Sequence, residues 1–349
     1  MVTTDSIEAP FDFDKPVVET KWGIENWLPF GNLIALQAQA GTGKSLLEMS
    51  WINHILTETP FCGCKVTGGD VLLIDQDMPE IDLKKRLKAY ANGIQAERKY
   101  NLYIEYKKGL QFNNGSLYET INKYKTVKYV FIDTLHSVMG QLDPNRTKDM
   151  SVINELKSQC LNSEKTIVLI HHISEKVNAN TIEDLMTADE HKLAMGSSLL
   201  NQSFDAYYII ASSTKDGMVE KIYARPVSKH ITIPLKPTVL DCVIKVENGI
   251  RSEYLEKNGI YHKPIPPEEA EVFETLKTHD AINEGSGLTV QELHAKSGHQ
   301  MSEFAIRKGL TGLEKIGKIS YGKAPHNLFK WYIKQKDNAC MVEIITKEK

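Results

Sequence analysis

The segment Ala38-Gln39-Ala40-Gly41-Thr42-Gly43-Lys44-Ser45 constrains the fold of this chain more than any other feature. It lies between the apolar run Leu33-Ile34-Ala35-Leu36 and a stretch with Leu47, Trp51, Ile52 and Ile55 at helical spacing. Backbone N–H groups of a tight glycine loop converge on phosphate oxygens when a strand delivers the loop and a helix follows with its positive amino end foremost. The pattern G-x-x-x-x-G-K-[ST] therefore predicts strand, loop and helix in that order. Gly41 and Gly43 permit close backbone approach, Lys44 reaches the β and γ phosphates, and the Ser45 hydroxyl ligates magnesium. The expected ATP contacts are Ala38, Gln39, Ala40, Gly41, Thr42, Gly43, Lys44, Ser45 and Leu46. Ala38 replaces the first glycine, which matters only if that position needs positive φ.

Magnesium beside a triphosphate also needs a carboxylate, usually at the end of another apolar strand. Val130-Phe131-Ile132-Asp133 supplies one, and the phosphate loop favours Asp133 as a metal ligand over a turn cap. Hydrolysis needs a group that activates water. Val71-Leu72-Leu73-Ile74-Asp75-Gln76-Asp77-Met78-Pro79 ends in two acids. Asp77 is the preferred base, but Asp75, two residues earlier on the same strand face, stays open, as does a solvated turn.

Short apolar runs alternate with amphipathic stretches from about residue 20 to 250, including Leu102-Tyr103-Ile104 and Ile167-Val168-Leu169-Ile170. This is the pattern of βα units on a mostly parallel sheet. From Ala206 the runs Tyr207–Ile210, Val219–Tyr223, Ile231–Leu235 and Leu240–Val246 leave no room for helices and predict an antiparallel extension. Residues 173–195 are polar and irregular, as in a long loop. Lys263-Pro264-Ile265-Pro266-Pro267 resists helix and strand and marks a linker. The expected division is a tail 1–19, an α/β ATPase domain 20–255, a linker 256–267 and a small domain 268–349.

Composition fits this division. Of the 349 residues 41% are hydrophobic and 25% charged, as in soluble globular proteins. The five cysteines, Cys62, Cys64, Cys160, Cys242 and Cys340, are scattered and odd in number, which suits a reducing compartment. The amino terminus carries acids where a secretory signal would be basic, so a cytoplasmic location is expected.

Several segments occur in a telling order: Trp27-Leu28-Pro29-Phe30-Gly31, the phosphate loop, Val71 to Pro79 with Arg86-Leu87 after it, Phe131-Ile132-Asp133-Thr134-Leu135, Ile170-His171-His172 and Gly196-Ser197-Ser198. Over residues 20–250 the chain resembles the RecA-like ATPases of the RepA type, ring helicases of plasmids, phages and other mobile elements. The resemblance implies that Asp77 is the catalytic base, where the family commonly has Glu. It implies that His172 senses the γ phosphate with His171 behind it. It also implies that basic residues reach a neighbouring subunit's site, with Arg225 and Lys229 in the matching late strand, whereas Phe204-Asp205 stands where relatives often carry Arg. A homo-oligomer, expected as a hexamer, follows.

After the linker come three helical stretches, Glu268–His279, Thr289–Ser297 and Ser302–Ile316, and two short strands around Gly322-Lys323-Ala324-Pro325. This is the order of a winged helix-turn-helix. From Lys296 to Lys336 there are nine basic residues against Glu303 and Glu314, an excess of seven positive charges in a chain whose net charge is −3. Such segregation predicts a DNA-facing surface, with Ser302, Arg307, Lys308, Lys323 and His326 as contacts and protein contact as the alternative. The combined expectation is a RecA-like P-loop core plus winged helix acting on DNA with ATP and magnesium, most simply a replicative ring helicase. A recombination or annealing factor and an ATP-gated DNA-binding regulator are the rivals.

Overall fold

The fold comes from a computed structural model that describes residues 19–143, 146, 149, 151–172, 182–187, 203–228, 233, 236–261, 267–283, 286–298, 301–315, 318–324 and 328–333. The chain forms two compact units, residues 1–262 and 263–349.

The first unit runs β1 (Trp22–Ile24), β2 (Leu28–Pro29), β3 (Leu33–Ala38), α1 (Lys44–Thr57), β4 (Val71–Asp75), α2 (Glu80–Ile94), β5 (Leu102–Tyr106), α3 (Ser116–Lys123), β6 (Tyr129–Asp133), α4 (Leu135–Met139), α5 (Ser151–Ser163), β7 (Thr166–His172), α6 (Ile182–Thr187), β8 (Ala206–Lys215), β9 (Met218–Ser228), β10 (Thr238–Glu247) and β11 (Ile250–Ile260). Nine strands make one sheet in the order β11-β10-β9-β8-β3-β7-β6-β4-β5. From β8 to β5 every pairing is parallel, and from β8 to β11 every pairing is antiparallel. This is an α/β, RecA-like P-loop core with an antiparallel extension. Central parallel strands are covered on both faces, which is why β3, β4 and β6 are buried along their whole length.

Helix α1 is buried at every position except Ser45 and Leu46, its polar residues included. Trp51 on its far side meets Trp27 edge-on at 6.1 Å and Tyr208 at 5.6 Å, while Trp27 stacks on Tyr208 at 5.7 Å. The Tyr208 hydroxyl donates to the Trp27 carbonyl at 2.6 Å. Large aromatic rings of this kind bury the most apolar area per residue, so this cluster anchors the helix that presents the phosphate loop.

The structure revises several expectations. β8 pairs parallel with β3, so the antiparallel extension begins only at β9. Residues 256–260, expected in the linker, complete β11, whose partner β10 supplies a ladder through Ile260. A helix, α6, interrupts the expected loop 173–195, the rest of which lies outside the described residues, as do most of 1–19 and of Ile231–Leu235. Of the cysteines, Cys62, Cys64, Cys160 and Cys242 are free thiols, and burial pushes the Cys62 thiol up to about 12. No described helix is long and apolar enough to cross a membrane.

The second unit contains α7 (Pro267–Thr278), α8 (Val290–Lys296), α9 (Glu303–Lys315) and the hairpin β12 (Ile319–Ala324) with β13 (Leu328–Ile333). Val272, Leu276, Leu293, Ile306, Leu310, Leu313 and Ile319 form its own core. Thr289 caps α8 through a reciprocal pair with Glu292, the Thr-x-x-Glu arrangement that closes two orphan donors at once. Leu288 bridges to Trp331 and so adds a third short edge to the hairpin.

Candidate functional site

β3 ends at Ala38, which is buried and has no positive φ, so alanine fits where the motif has glycine. The turn is then made by Gly41 at φ 76° and Gly43 at φ 87°. At Gly43 the positive φ favours glycine, and a Cβ would also press on Ile222 Cδ1 at 3.0 Å, which would have to shift to admit it. Thr42 Oγ1 donates to the Gln39 carbonyl at 2.8 Å and closes the loop. Lys44 Nζ donates to the carbonyls of Ala38 at 2.9 Å and Gln39 at 2.7 Å, holding the ammonium over the loop. Burial lowers the Lys44 ammonium to about 8, against the opposing pull of Asp133.

Adjacent strands put Asp133 in register with Asp75, and β7 sets His172 beside Ala38. Ser45 Oγ donates to Asp133 Oδ2 at 3.4 Å. Burial lifts the Asp133 carboxyl to about 7, Asp75 and Asp77 push the same way, and Lys44 and Ser45 oppose them. Magnesium takes oxygen ligands at about 2.1 Å, so a hydroxyl and a carboxylate facing each other across this distance fit one ion, with phosphate and water oxygens as its other ligands. Among the described residues no group of three or more His, Cys, Asp or Glu could hold a metal without them.

The two acids at the end of β4 separate. The strand stops at Asp75, the chain turns, and the alternation that would keep Asp75 and Asp77 on one face no longer applies. Asp75 is fully buried rather than in a solvated turn, and its Oδ1 accepts from the N–H groups of Asp77 at 3.0 Å and Met78 at 2.9 Å. Asp77 is exposed and accepts from the Thr134 hydroxyl at 3.2 Å. Thr134 itself caps α4 by exchanging hydrogen bonds with Ser137.

Gly41 to Leu46, Asp77, Met78, Arg86, Asp133, His172 and Val219 line one cleft of about 430 Å³. Partial desolvation and the nearby Lys44 ammonium hold the His172 imidazole below its ordinary range, with Asp77 opposing. His171 lies behind it, buried, and burial pulls that ring down to about 4.

Not every expected residue lines the cleft. Arg225 is half-buried on β9 and donates from Nη1 to the Leu185 carbonyl at 3.3 Å, away from its own chain's cleft. Lys229 and Gly196-Ser197-Ser198 lie outside the described residues. Asp205 is structural: it accepts from the Leu33 N–H at 2.9 Å and pairs with Lys157 at 2.6 Å, tying the start of β3 to α5.

Two residues were not assigned roles from the sequence. Arg86, on the exposed face of α2, borders the cleft one helix away from the loop. Glu48, one turn beyond Lys44, is fully buried with neither carboxyl oxygen hydrogen-bonded. Burial pushes its carboxyl well above the usual range, and Asp133 and Asp75 add to the shift. An acid at helical spacing in an apolar stretch was the available signal.

In the second unit Lys308 pairs with Glu268 at 3.2 Å and Arg307 approaches Glu303 at 3.7 Å. Ser302 Oγ accepts from the Ala305 N–H at 3.2 Å, so it caps α9. Lys323 lies in β12, and His326 falls outside the described residues.

Residues 6–177 match the model of a protein family described as an AAA domain. The match takes in the phosphate loop, Asp77, Asp133 and His172. No curated protein matches the chain. The first unit therefore carries a P-loop, nucleotide-dependent ATPase domain.

Proposed function

We propose that this chain is a DNA-acting ATPase of the RepA type, a ring-forming motor that serves replication of a mobile element, with the second unit as a winged helix that holds DNA. The observation that carries the ATPase half is the convergence of Lys44, Ser45, Asp77, Asp133 and His172 on one cleft. The loop and Lys44 bind the triphosphate. Ser45 and Asp133 would hold magnesium, which would neutralise negative charge on the bound triphosphate. Asp77, exposed and oriented by Thr134, accepts a proton from the attacking water. His172 faces the same space and reads the γ phosphate. Arg225 and Lys229 act on a neighbouring subunit's cleft, a reading supported by the placement of Arg225 away from its own.

The DNA half is supported by the helix and strand order of the second unit, by the Leu288 to Trp331 bridge and by the basic excess from Lys296 to Lys336. Particle images with a nonhydrolysable ATP analogue, combined with unwinding of a forked duplex, test the whole. A closed ring that unwinds the fork is expected. Filaments without unwinding would replace the motor with a recombination or annealing factor, and dimers with slow turnover indifferent to DNA would replace it with an ATP-gated regulator.

A further inference from the structure

The hairpin of the second unit carries aromatic rings, of which Trp331 packs against the core while Tyr321 and Phe329 stay exposed. Ile319 is buried and pairs with Ile333, which packs on the core. Two residues outward along the ladder, Tyr321 pairs with Trp331, and their rings lie 4.8 Å apart. Phe329 comes next, edge-on to Tyr321 at 5.1 Å. Tyr321 is 44% exposed and Phe329 45% exposed. A packed aromatic group left half in water is the kind of surface that marks a binding site.

Beside these rings is a groove of about 440 Å³ between α8, α9 and β13, lined in part by Thr289, Gln291, Arg307, Thr311, Phe329 and Trp331. Its apolar wall combines the Phe329 and Trp331 rings with aliphatic Val290 and Leu310, and its other walls offer amide, hydroxyl and guanidinium groups. The Arg307–Glu303 pair is long and exposed on both sides, at 62% and 48%, so it holds the guanidinium only weakly. Flat π faces, planar donors and a local excess of positive charge suit a nucleobase on a phosphate backbone. An apolar peptide would need the aromatic wall but not the charge. A duplex hides its base faces by internal stacking, whereas a single strand offers them.

We propose that Tyr321, Phe329 and Trp331 form a base-stacking platform for single-stranded DNA, with Phe329 as its outer face and Arg307 binding the adjoining backbone. This rests on the reading of the second unit as a DNA-binding module and names the form of DNA it takes. The platform would grip an unpaired strand while the remaining basic surface contacts phosphates.

The test measures binding of the full-length protein, without nucleotide, to a labelled poly-dT strand and to a blunt duplex of equal length. Phe329→Leu keeps apolar packing against Tyr321 but removes the π face. Single-strand affinity should fall about tenfold, since stacking on one aromatic side chain contributes about 1–3 kcal/mol and about 1.4 kcal/mol is tenfold. Duplex affinity and DNA-independent ATP turnover should hold at wild-type values, and Phe329→Trp should restore the single-strand affinity. Wild-type binding of both DNAs by Phe329→Leu, or an equal loss for strand and duplex, overturns the platform and leaves the DNA-binding reading standing. Failure of the wild-type protein to bind either DNA overturns that reading and the platform with it, and leaves the patch as a protein contact.

Discussion

Thr134 donates its hydroxyl to Asp77 Oδ2 at 3.2 Å, so the residue that follows β6 and Asp133 also orients the carboxylate at the cleft. The same hydroxyl accepts from Ser137 N–H at 3.4 Å, which fixes its rotamer from the helix side. Asp75 completes the arrangement from below by holding the Asp77 and Met78 amides.

Three substitutions separate these parts. Asp77→Asn should bind ATP normally and hydrolyse it about a hundredfold more slowly, the scale of a lost general base. Thr134→Val should lower kcat by a smaller factor with KM for ATP little changed. Asp75→Asn should destabilise the fold, because a buried acceptor of two amides is replaced by a group with one acceptor oxygen and two unmatched donors. Single-turnover rates and denaturant midpoints measure the three; a catalytic defect confined to Asp75→Asn would exchange the two acids.

For Arg225, the measurement is doping. If its guanidinium completes a neighbour's site, mixing Arg225→Ala protein into wild type should depress ATP turnover more than in proportion to the fraction added. A linear decline would assign Arg225 to its bond with Leu185 within the subunit.

Acid should weaken the fold through His54, whose ring is packed edge-on to Phe61 at 5.4 Å. Burial lowers His54 to about 4, with the Thr59 backbone opposing. The unfolded chain therefore binds the extra proton first, and the stability present above the unfolded value of about 6.5 is lost as pH falls toward 4. His54→Gln should reduce the change in unfolding free energy across that window by about 1–3 kcal/mol at one shifted proton. Denaturant titrations at pH 7 and pH 4.5 read it, and an unchanged pH slope would show that His54 already titrates normally.

A chain ending after His262 should keep nucleotide binding and lose most duplex affinity, because the cleft lies in the first unit and the basic excess in the second. Binding by the full chain should weaken steeply with salt, and Lys323→Ala should flatten the logarithmic slope by about one unit. Normal duplex binding by the shortened chain would move the DNA path into the ATPase unit.

What the sequence determined by itself is what its chemistry confines to a contiguous run. The phosphate loop must be continuous between a strand and a helix, so Ala38 to Ser45 identified the ATPase domain unaided. The parallel strands were legible as apolar runs because burial on both faces removes any need for polar residues. Period and punctuation also located α7 to α9 and the hairpin. Relations across the chain needed the tertiary structure. Asp75 and Asp77 are equivalent on an ideal strand, and only the end of β4 and the amides turned onto Asp75 drive one acid inward and leave the other at the cleft. Glu48 and Arg86 gain their meaning from neighbours on other elements, and the direction of β8 from its pairing with β3. Counting charges along residues 296–336 treats Lys308 as free, whereas folding brings Glu268 to it from the first helix of the unit. Separation along the chain says little about such pairs, because the packing of whole elements, and not local preference, decides which side chains meet.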